Sequence, residues 1–258
     1  NKRVRIKDKK SSNRYENTFN IWFTNADTLT KDKILELKEK IKQESPPDII
    51  SINEVKPKNF QRILNKSEYQ IDGYVFKYNN LDNDNTTRGI AAYIKKSLTY
   101  SIINLSRISK GTLPNEVMGI EINLANKQKM LFLIMYRSPN CSSLEDKYVN
   151  EFITATSSLK YQHIVVVGDF NHPKINWNTV SSSCEKEMDF IEACKDSLLS
   201  QHVLTPTRGR GTDKPSLVDL FLTTNENNVE KVEIKSPLGK SDHSVVAVTY
   251  RTQKERKL

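Results

Sequence analysis

The sequence predicts an α/β protein in which helices cover β-sheet, either one sheet or two packed together. Three observations lead there. Apolar runs of strand length recur: FNIWF (19–23), DIISI (48–52), GIAAYI (89–94), VMGIEI (117–122), MLFLIMY (130–136), IVVVG (164–168), LVDLFL (217–222) and SVVAVTY (244–250). Several are rich in valine, isoleucine and aromatics, as strands are. Amphipathic stretches lie between them, so strands outnumber helices and the two are interleaved.

The helices follow from spacing. LTKDKILELKEKIKQ (29–43) puts Ile34, Leu37 and Ile41 on one face, and Pro46–Pro47 ends it. EDKYVNEFITATSSL (145–159) and EKEMDFIEACKDSLL (185–199) read the same way. No internal repeat or long low-complexity segment is visible.

Composition narrows the class. Of 258 residues, 36% are apolar, enough for a sizeable core, and a single globular unit is the simplest reading. No run approaches the roughly 18 apolar residues of a membrane span, so no membrane is expected as a partner. The first residue is Asn and no signal-peptide pattern precedes the core, so the chain reads as a piece of something longer. Lys and Arg outnumber Asp and Glu by 40 to 31, a net charge of +9, which suits a polyanionic partner as well as plain solubility. NKRVRIKDKKSSNR holds seven basic residues and one acid, and RTQKERKL closes in similar style. Residues 1–17 and 252–258 are therefore expected to be basic solvated tails around a domain at 18–251. Cys141, Cys184 and Cys194 form neither a metal spacing nor an even disulfide set, which implies reduced thiols and an intracellular protein.

Polar groups gather where the strands end or begin. Asn25 and Asp27 follow the first run and Glu54 the second. Tyr136 and Arg137 end the fifth, and Asp169 and Asn171 follow IVVVG. Asp219 sits inside LVDLFL, and Asp242 and His243 precede the last run. In sheet-based enzymes ligands bind beyond strand ends, where loops converge.

Those residues suit one chemistry. Asp27, Glu54, Asp169 and Asp242 in one cleft would repel, at ~5 Å and an effective dielectric of ~20 by on the order of 3 kcal/mol per pair. A cation would reverse that cost, and an oxygen donor set suits Mg²⁺ or Mn²⁺, with Glu54 the first choice of ligand. Asp169, on a rigid strand end, can take a proton from an attacking water, with Asn171 fixing the carboxylate or the water. Alternatively, G-D-F-N is an Asx-type turn closing a buried strand. Asp219 is flanked by Leu217, Val218, Leu220 and Phe221 and must be paired, either to a Lys or Arg or to His243. Paired to Asp219, His243 would be held charged and could stabilise a phosphate. Lys56, Arg88 and Arg137 flank strands and read as phosphate contacts or as ordinary surface bases. TRGRGTDKPS (207–216) carries Arg208 and Arg210 on a glycine-rich stretch suited to a narrow minor groove.

The motifs NAD (25–27), PDIISINEVK (47–56), YRSPN (136–140), GDFN (168–171), SLVDLFL (216–222) and SDH (241–243) occur in this order. Together they resemble the Mg²⁺-dependent exonuclease–endonuclease–phosphatase superfamily, which includes apurinic/apyrimidinic endonucleases. YRSPN, TRGRGTDKPS and PLGKSDHSVV (237–246) resemble more particularly the endonuclease domain of non-LTR, LINE-type retrotransposons of the CR1/L2-like branch. The resemblance spans roughly 19–250. It implies a four-layer α/β sandwich of two mixed sheets flanked by helices. It implies Asn25 and Asp27 near metal and phosphate, Glu54 as metal ligand, Tyr136 at the scissile phosphate or leaving group, and Asp169 activating water beside Asn171. Asp219 would orient His243, and Asp242 would lie close to the metal. Many LINE-type relatives carry Asn where Asp27 stands. The implied reaction is a nick in one strand of double-stranded DNA, leaving the 3′-hydroxyl that primes target-primed reverse transcription. The implied partner is a reverse transcriptase domain C-terminal in the same polyprotein, and the implied location is the nucleus. Rival readings are a host abasic-site endonuclease, a phosphatase of the same superfamily and a non-catalytic DNA-binding module.

Overall fold

The computed structural model describes residues 18–57, 65–81, 86–124, 127–209, 211–212 and 214–252. The segment 1–17, residues 253–258 of the expected tail, and Arg210 lie outside the described residues.

One six-stranded sheet contains β1 (Thr18–Asn25), β2 (Ile49–Asn53), β3 (Tyr74–Asn79), β4 (Ile90–Lys95), β11 (Val229–Lys235) and β12 (Val245–Arg251), in the order β11-β12-β1-β2-β4-β3. The other contains β5 (Thr99–Ile102), β6 (Val117–Asn123), β7 (Lys129–Tyr136), β8 (His163–Asp169), β9 (Ser200–Gln201) and β10 (Asp219–Thr223), in the order β5-β6-β7-β8-β10-β9. Among the described residues only β1/β2 and β7/β8 pair in parallel. Their crossovers carry α1 (Lys31–Gln43) and α2 (Ser143–Ala155), and α3 (Glu185–Asp196) follows β8. The two sheets therefore repeat one plan, with β12, β1, β2 and β4 corresponding to β6, β7, β8 and β10. The sequence shows no trace of this duplication.

Alternation along the strands builds the layers. Phe19, Ile21 and Phe23 of β1, Met130, Phe132 and Ile134 of β7, and Val165 and Val167 of β8 meet in the core between the sheets. Trp22, Ile50 and Ile52 face outward against Ile34, Leu37 and Ile41 of α1. Leu131, Leu133, Ile164 and Val166 face the other way, against Val149, Phe152 and Ile153 of α2 and Phe190 and Ile191 of α3. The result is the four-layer sandwich that the motifs imply.

The first two helices start on ordinary caps. Thr30 caps α1 through Lys33 N–H, and Ser142 caps α2 through Glu145 N–H at 3.2 Å. The third helix stops earlier than its apolar pattern, because Leu198 adopts φ +55° and turns Leu199 back into the core.

Candidate active site

The same alternation carries polar side chains to one end of the inter-sheet core. Two residues past Phe23 stands Asn25, two past Ile134 stands Tyr136, and two past Val167 stands Asp169. Asp219 precedes Phe221 by two on β10. The parallel pairs β1/β2 and β7/β8 end here, and their antiparallel neighbours begin here. Glu54 and His243 lie just outside strand ends, and Asp27, Glu54 and Asn171 all adopt positive φ, of +40°, +52° and +48°. Such backbone costs energy for non-glycine residues and clusters at functional sites.

Asp169 is the hub. Its Oδ2 accepts from Asn25 Nδ2 at 2.9 Å, and its Oδ1 accepts from the backbone N–H of Asn171 at 3.0 Å. Asn171 thus fixes the carboxylate through its main chain, while its side-chain amide donates to the Arg137 carbonyl at 2.9 Å. Asp169 and Asp219 are direct partners across β8 and β10. Two such buried carboxylates repel. His243 relieves this: its Nδ1 lies 2.8 Å from Asp219 Oδ2 and its Nε2 lies 3.8 Å from Asp169 Oδ2. Burial works against charge on His243, yet Asp219, Asp169 and Asp242 hold its pKa up at about 9. Burial likewise raises the Asp169 carboxyl, opposed by His243.

On the other flank stands Glu54. Its Oε1 accepts from Asn25 Nδ2 at 2.9 Å and from the Tyr136 hydroxyl at 2.7 Å. Burial and Glu54 raise the Tyr136 pKa, so the phenol stays a donor. Arg88 Nη1 meets Glu54 Oε2 at 2.6 Å, and its Nη2 lies 3.3 Å from Asp27 Oδ1. Asp242 has other partners: its Oδ2 is 3.0 Å from Arg208 Nε, and its Oδ1 is 4.0 Å from His243 Nε2. Partial burial opposes the charge on Asp242, but Arg208 and His243 bring its pKa below the ordinary value.

Three expected DNA contacts are placed differently. Lys56 is fully buried, and Arg137 is only 2% exposed. The Arg137 guanidinium pairs with Asp146 and donates to the carbonyls of Phe170 and Asn171. Arg137 is a buried strut under the Asp169 loop rather than a surface base. Arg88 is almost as enclosed and faces Glu54, whereas Arg208 stays accessible.

Asn53, Glu116 and Lys33 have roles that the sequence did not assign. Asn53 crosses between the sheets, donating to Met135 O at 3.1 Å and accepting from Asp169 N–H at 3.1 Å. Glu116 accepts the backbone N–H groups of Arg88 and Gly89 at 2.9 and 2.6 Å. Burial pushes Glu116 up to about 7 against those hydrogen bonds and Lys56. Lys33 of α1 donates to the carbonyls of Ala26 and Asp27. Asn53, at the end of the DIISI run, and Glu116, an acid immediately before a strand, each carried a positional signal.

The donor chemistry fits a hard divalent ion. Asn25, Asp27, Glu54, Asp169 and Asp242 offer oxygens, and Glu54 with Asp27 already gathers a guanidinium. Asp169, Asp219 and His243 have ligand atoms within 4.8 Å of one another and could also hold a metal ion, and Asp219 Oδ1 is buried without a hydrogen-bond partner.

Layers, sheet order and strand-end site together define a member of the exonuclease–endonuclease–phosphatase fold. Within it, residues 130–247 match the family model described as Endonuclease-reverse transcriptase. The fold is similar to the endonuclease domain of TRAS1, a telomere-specific non-LTR retrotransposon, at 16% identity and a TM-score of 0.68 over 92% of this chain and 100% of that one. It is also similar to the AP endonuclease LMAP from Leishmania major (14%, TM-score 0.68, 91% and 88% covered) and to the APE2 catalytic domain of Xenopus laevis (12%, TM-score 0.62, 92% and 94% covered). No curated protein sequence matches significantly. The chain has this fold, with a buried cluster of Asp169, Asp219 and His243 at its strand-end site. Among the described residues no helix is long and apolar enough to cross a membrane.

Proposed function

We propose that this chain is a metal-dependent DNA endonuclease that nicks one strand of double-stranded DNA and leaves a 3′-hydroxyl for target-primed reverse transcription of a LINE-type element. The observation that carries this is the His243 bridge between Asp219 and Asp169, with Asn25 linking Asp169 to Glu54. Glu54, Asp27 and Asp242 would hold Mg²⁺, or Mn²⁺ in its place, and the ion when bound supplies Lewis-acid neutralisation of phosphate oxygens. Asp169, raised in pKa and fixed by Asn25 and the Asn171 N–H, takes the proton of the attacking water. His243, kept charged by Asp219, faces the phosphate and offsets its developing charge. Tyr136 supplies a hydroxyl donor beside Glu54. Arg208 contacts a flanking phosphate or the minor groove. The reverse transcriptase domain of the same polyprotein is the partner that extends the product, which places the work in the nucleus.

The structure of the Neisseria 3′ phosphatase NExo bound to product DNA hairpin, similar at a TM-score of 0.61, makes DNA a plausible ligand for this scaffold. The test is nicking of supercoiled plasmid with and without EDTA, with the ends mapped. Mg²⁺-dependent nicks ending in 3′-hydroxyl and 5′-phosphate are expected. Strong preference for abasic duplex would favour a repair role, and no nicking in Mg²⁺ or Mn²⁺ at any salt would favour a binding module.

A further inference from the structure

The duplicated sheet plan pairs the site's contacts two by two. Asn25 of β1 bonds Asp169 of β8, and Tyr136 of β7 bonds Glu54 after β2. Under the same correspondence, the junction of β12 with β10 matches that of β6 with β4. At the first junction Asp219 holds His243 toward Asp169. At the second Glu116, just before β6, holds the Arg88–Gly89 backbone just before β4, and Arg88 faces Glu54. In both places an acid from one sheet fixes a cation on the other, and that cation meets a strand-end carboxylate.

We propose that Glu116 is a positioning residue that, through Arg88, sets the Glu54 and Asp27 carboxylates in the arrangement that takes the divalent ion. Both Glu116 oxygens are used on the main chain, so residue 88 is fixed at its backbone rather than only at its side chain. Arg88 Nε then donates to Lys56 O at 2.9 Å, which leaves Nη1 for Glu54 and Nη2 for Asp27. The clamped loop is also laced to the Glu54 segment, by Val55 N–H to Gly89 O and Lys56 N–H to Arg88 O. Gly89 permits this: φ is +73°, and a Cβ would lie 2.3 Å from Leu81 Cδ2. Glu116 further ties in Tyr136, whose N–H donates to its carbonyl at 3.0 Å. Partners that hold ligating carboxylates govern metal affinity as the ligands do.

This role rests on the proposed ion site, but its test does not rest on DNA cleavage. Mn²⁺ binding to the intact chain is measured by titration calorimetry and by loss of the free Mn²⁺ paramagnetic resonance signal. Glu116→Gln keeps size and one acceptor, and Arg88→Lys keeps the charge without the fork. Each is expected to weaken Mn²⁺ binding about 10- to 100-fold at unchanged stoichiometry. Nicking, measured in parallel, should recover at high metal. A purely structural Glu116 would instead lower the bound fraction and the melting temperature while the affinity of the folded protein stayed as in wild type, which overturns the inference. So does unchanged affinity in Arg88→Lys, or a wild-type chain that binds no Mn²⁺. If wild type binds Mn²⁺ and both variants bind it weakly, yet none nicks DNA, the positioning role stands and the nuclease reading falls.

Discussion

His243 Nδ1 lies 2.8 Å from Asp219 Oδ2, although the two residues come from different sheets and Asp219 has no exposed surface. The pair closes the sandwich at the end where the polar side chains converge. Its first consequence concerns pH. The folded pKa of His243, about 9, stands above its ordinary 6.5, so its stabilising charge is complete below pH 6.5 and is lost as pH rises through 9. Nicking should fall on the alkaline side near that value. Asp219→Asn should move the fall to lower pH, as a pH–rate profile will register. An unmoved alkaline limb would remove His243 from the charged role.

Asp169→Asn keeps the volume and the contact to Asn25 but removes the proton acceptor. Nicking should drop by roughly 10²- to 10⁴-fold. Duplex binding in EDTA should survive, measured by fluorescence anisotropy on the same preparation. Equal loss of both would mean that the substitution disrupts the site rather than the chemistry.

Two arginines expected alike from sequence should behave in opposite ways. Arg208→Ala should weaken DNA binding and reduce the slope of log affinity against log salt by about 1. Arg137→Met leaves Asp146 unpaired in the interior and should cost about 3–5 kcal/mol of stability, read by urea unfolding. A normal salt slope in its folded fraction would agree with the buried placement.

Gly168 adopts φ +149°, and a Cβ there would lie 1.8 Å from the carbonyl oxygen of Met135 on the adjacent strand. Gly168→Ala should therefore destabilise by more than about 4 kcal/mol, and soluble yield with thermal melting will show it. Near-normal stability would mean that β7 and β8 can part without cost.

His172 is pushed down to about 3, first by burial and then by Arg137. The unfolded imidazole titrates near 6.5, so stability from the neutral form is complete above that pH and drains away as pH falls toward 3. The slope from this group approaches about 1.4 kcal/mol per pH unit in that window. His172→Asn should flatten the acid side of the stability profile in equilibrium unfolding between pH 4.5 and 6.5.

The eight central strands could be read from sequence because both their faces are covered, which writes them as unbroken apolar runs. The four that could not, β3, β5, β9 and β11, are the four sheet edges. VEKVEIK of β11 mixes four charged residues with its apolar ones and exposes Glu230, Lys231 and Ile234, and SQ of β9 is two residues long. The strand-end constellation was legible for a related reason: polar residues standing at the end of apolar runs are conspicuous. Lys56 and Arg137 misled because sequence gives a charge but not its depth. Glu116 and Asn53 stand at strand ends, but their partners are mainly backbone groups, which side-chain order does not reveal.

Asn25 belongs to the first strand and His243 directly precedes the last, and those two strands lie side by side in antiparallel register. A ribosome must therefore finish almost the whole domain before the strand-end site can form. Under the proposed function, the emerging polypeptide is harmless to nucleic acids until its closing segment zips alongside the opening one. Neither fragment of a chain cleaved between them would cut alone, and activity would return only on reassociation.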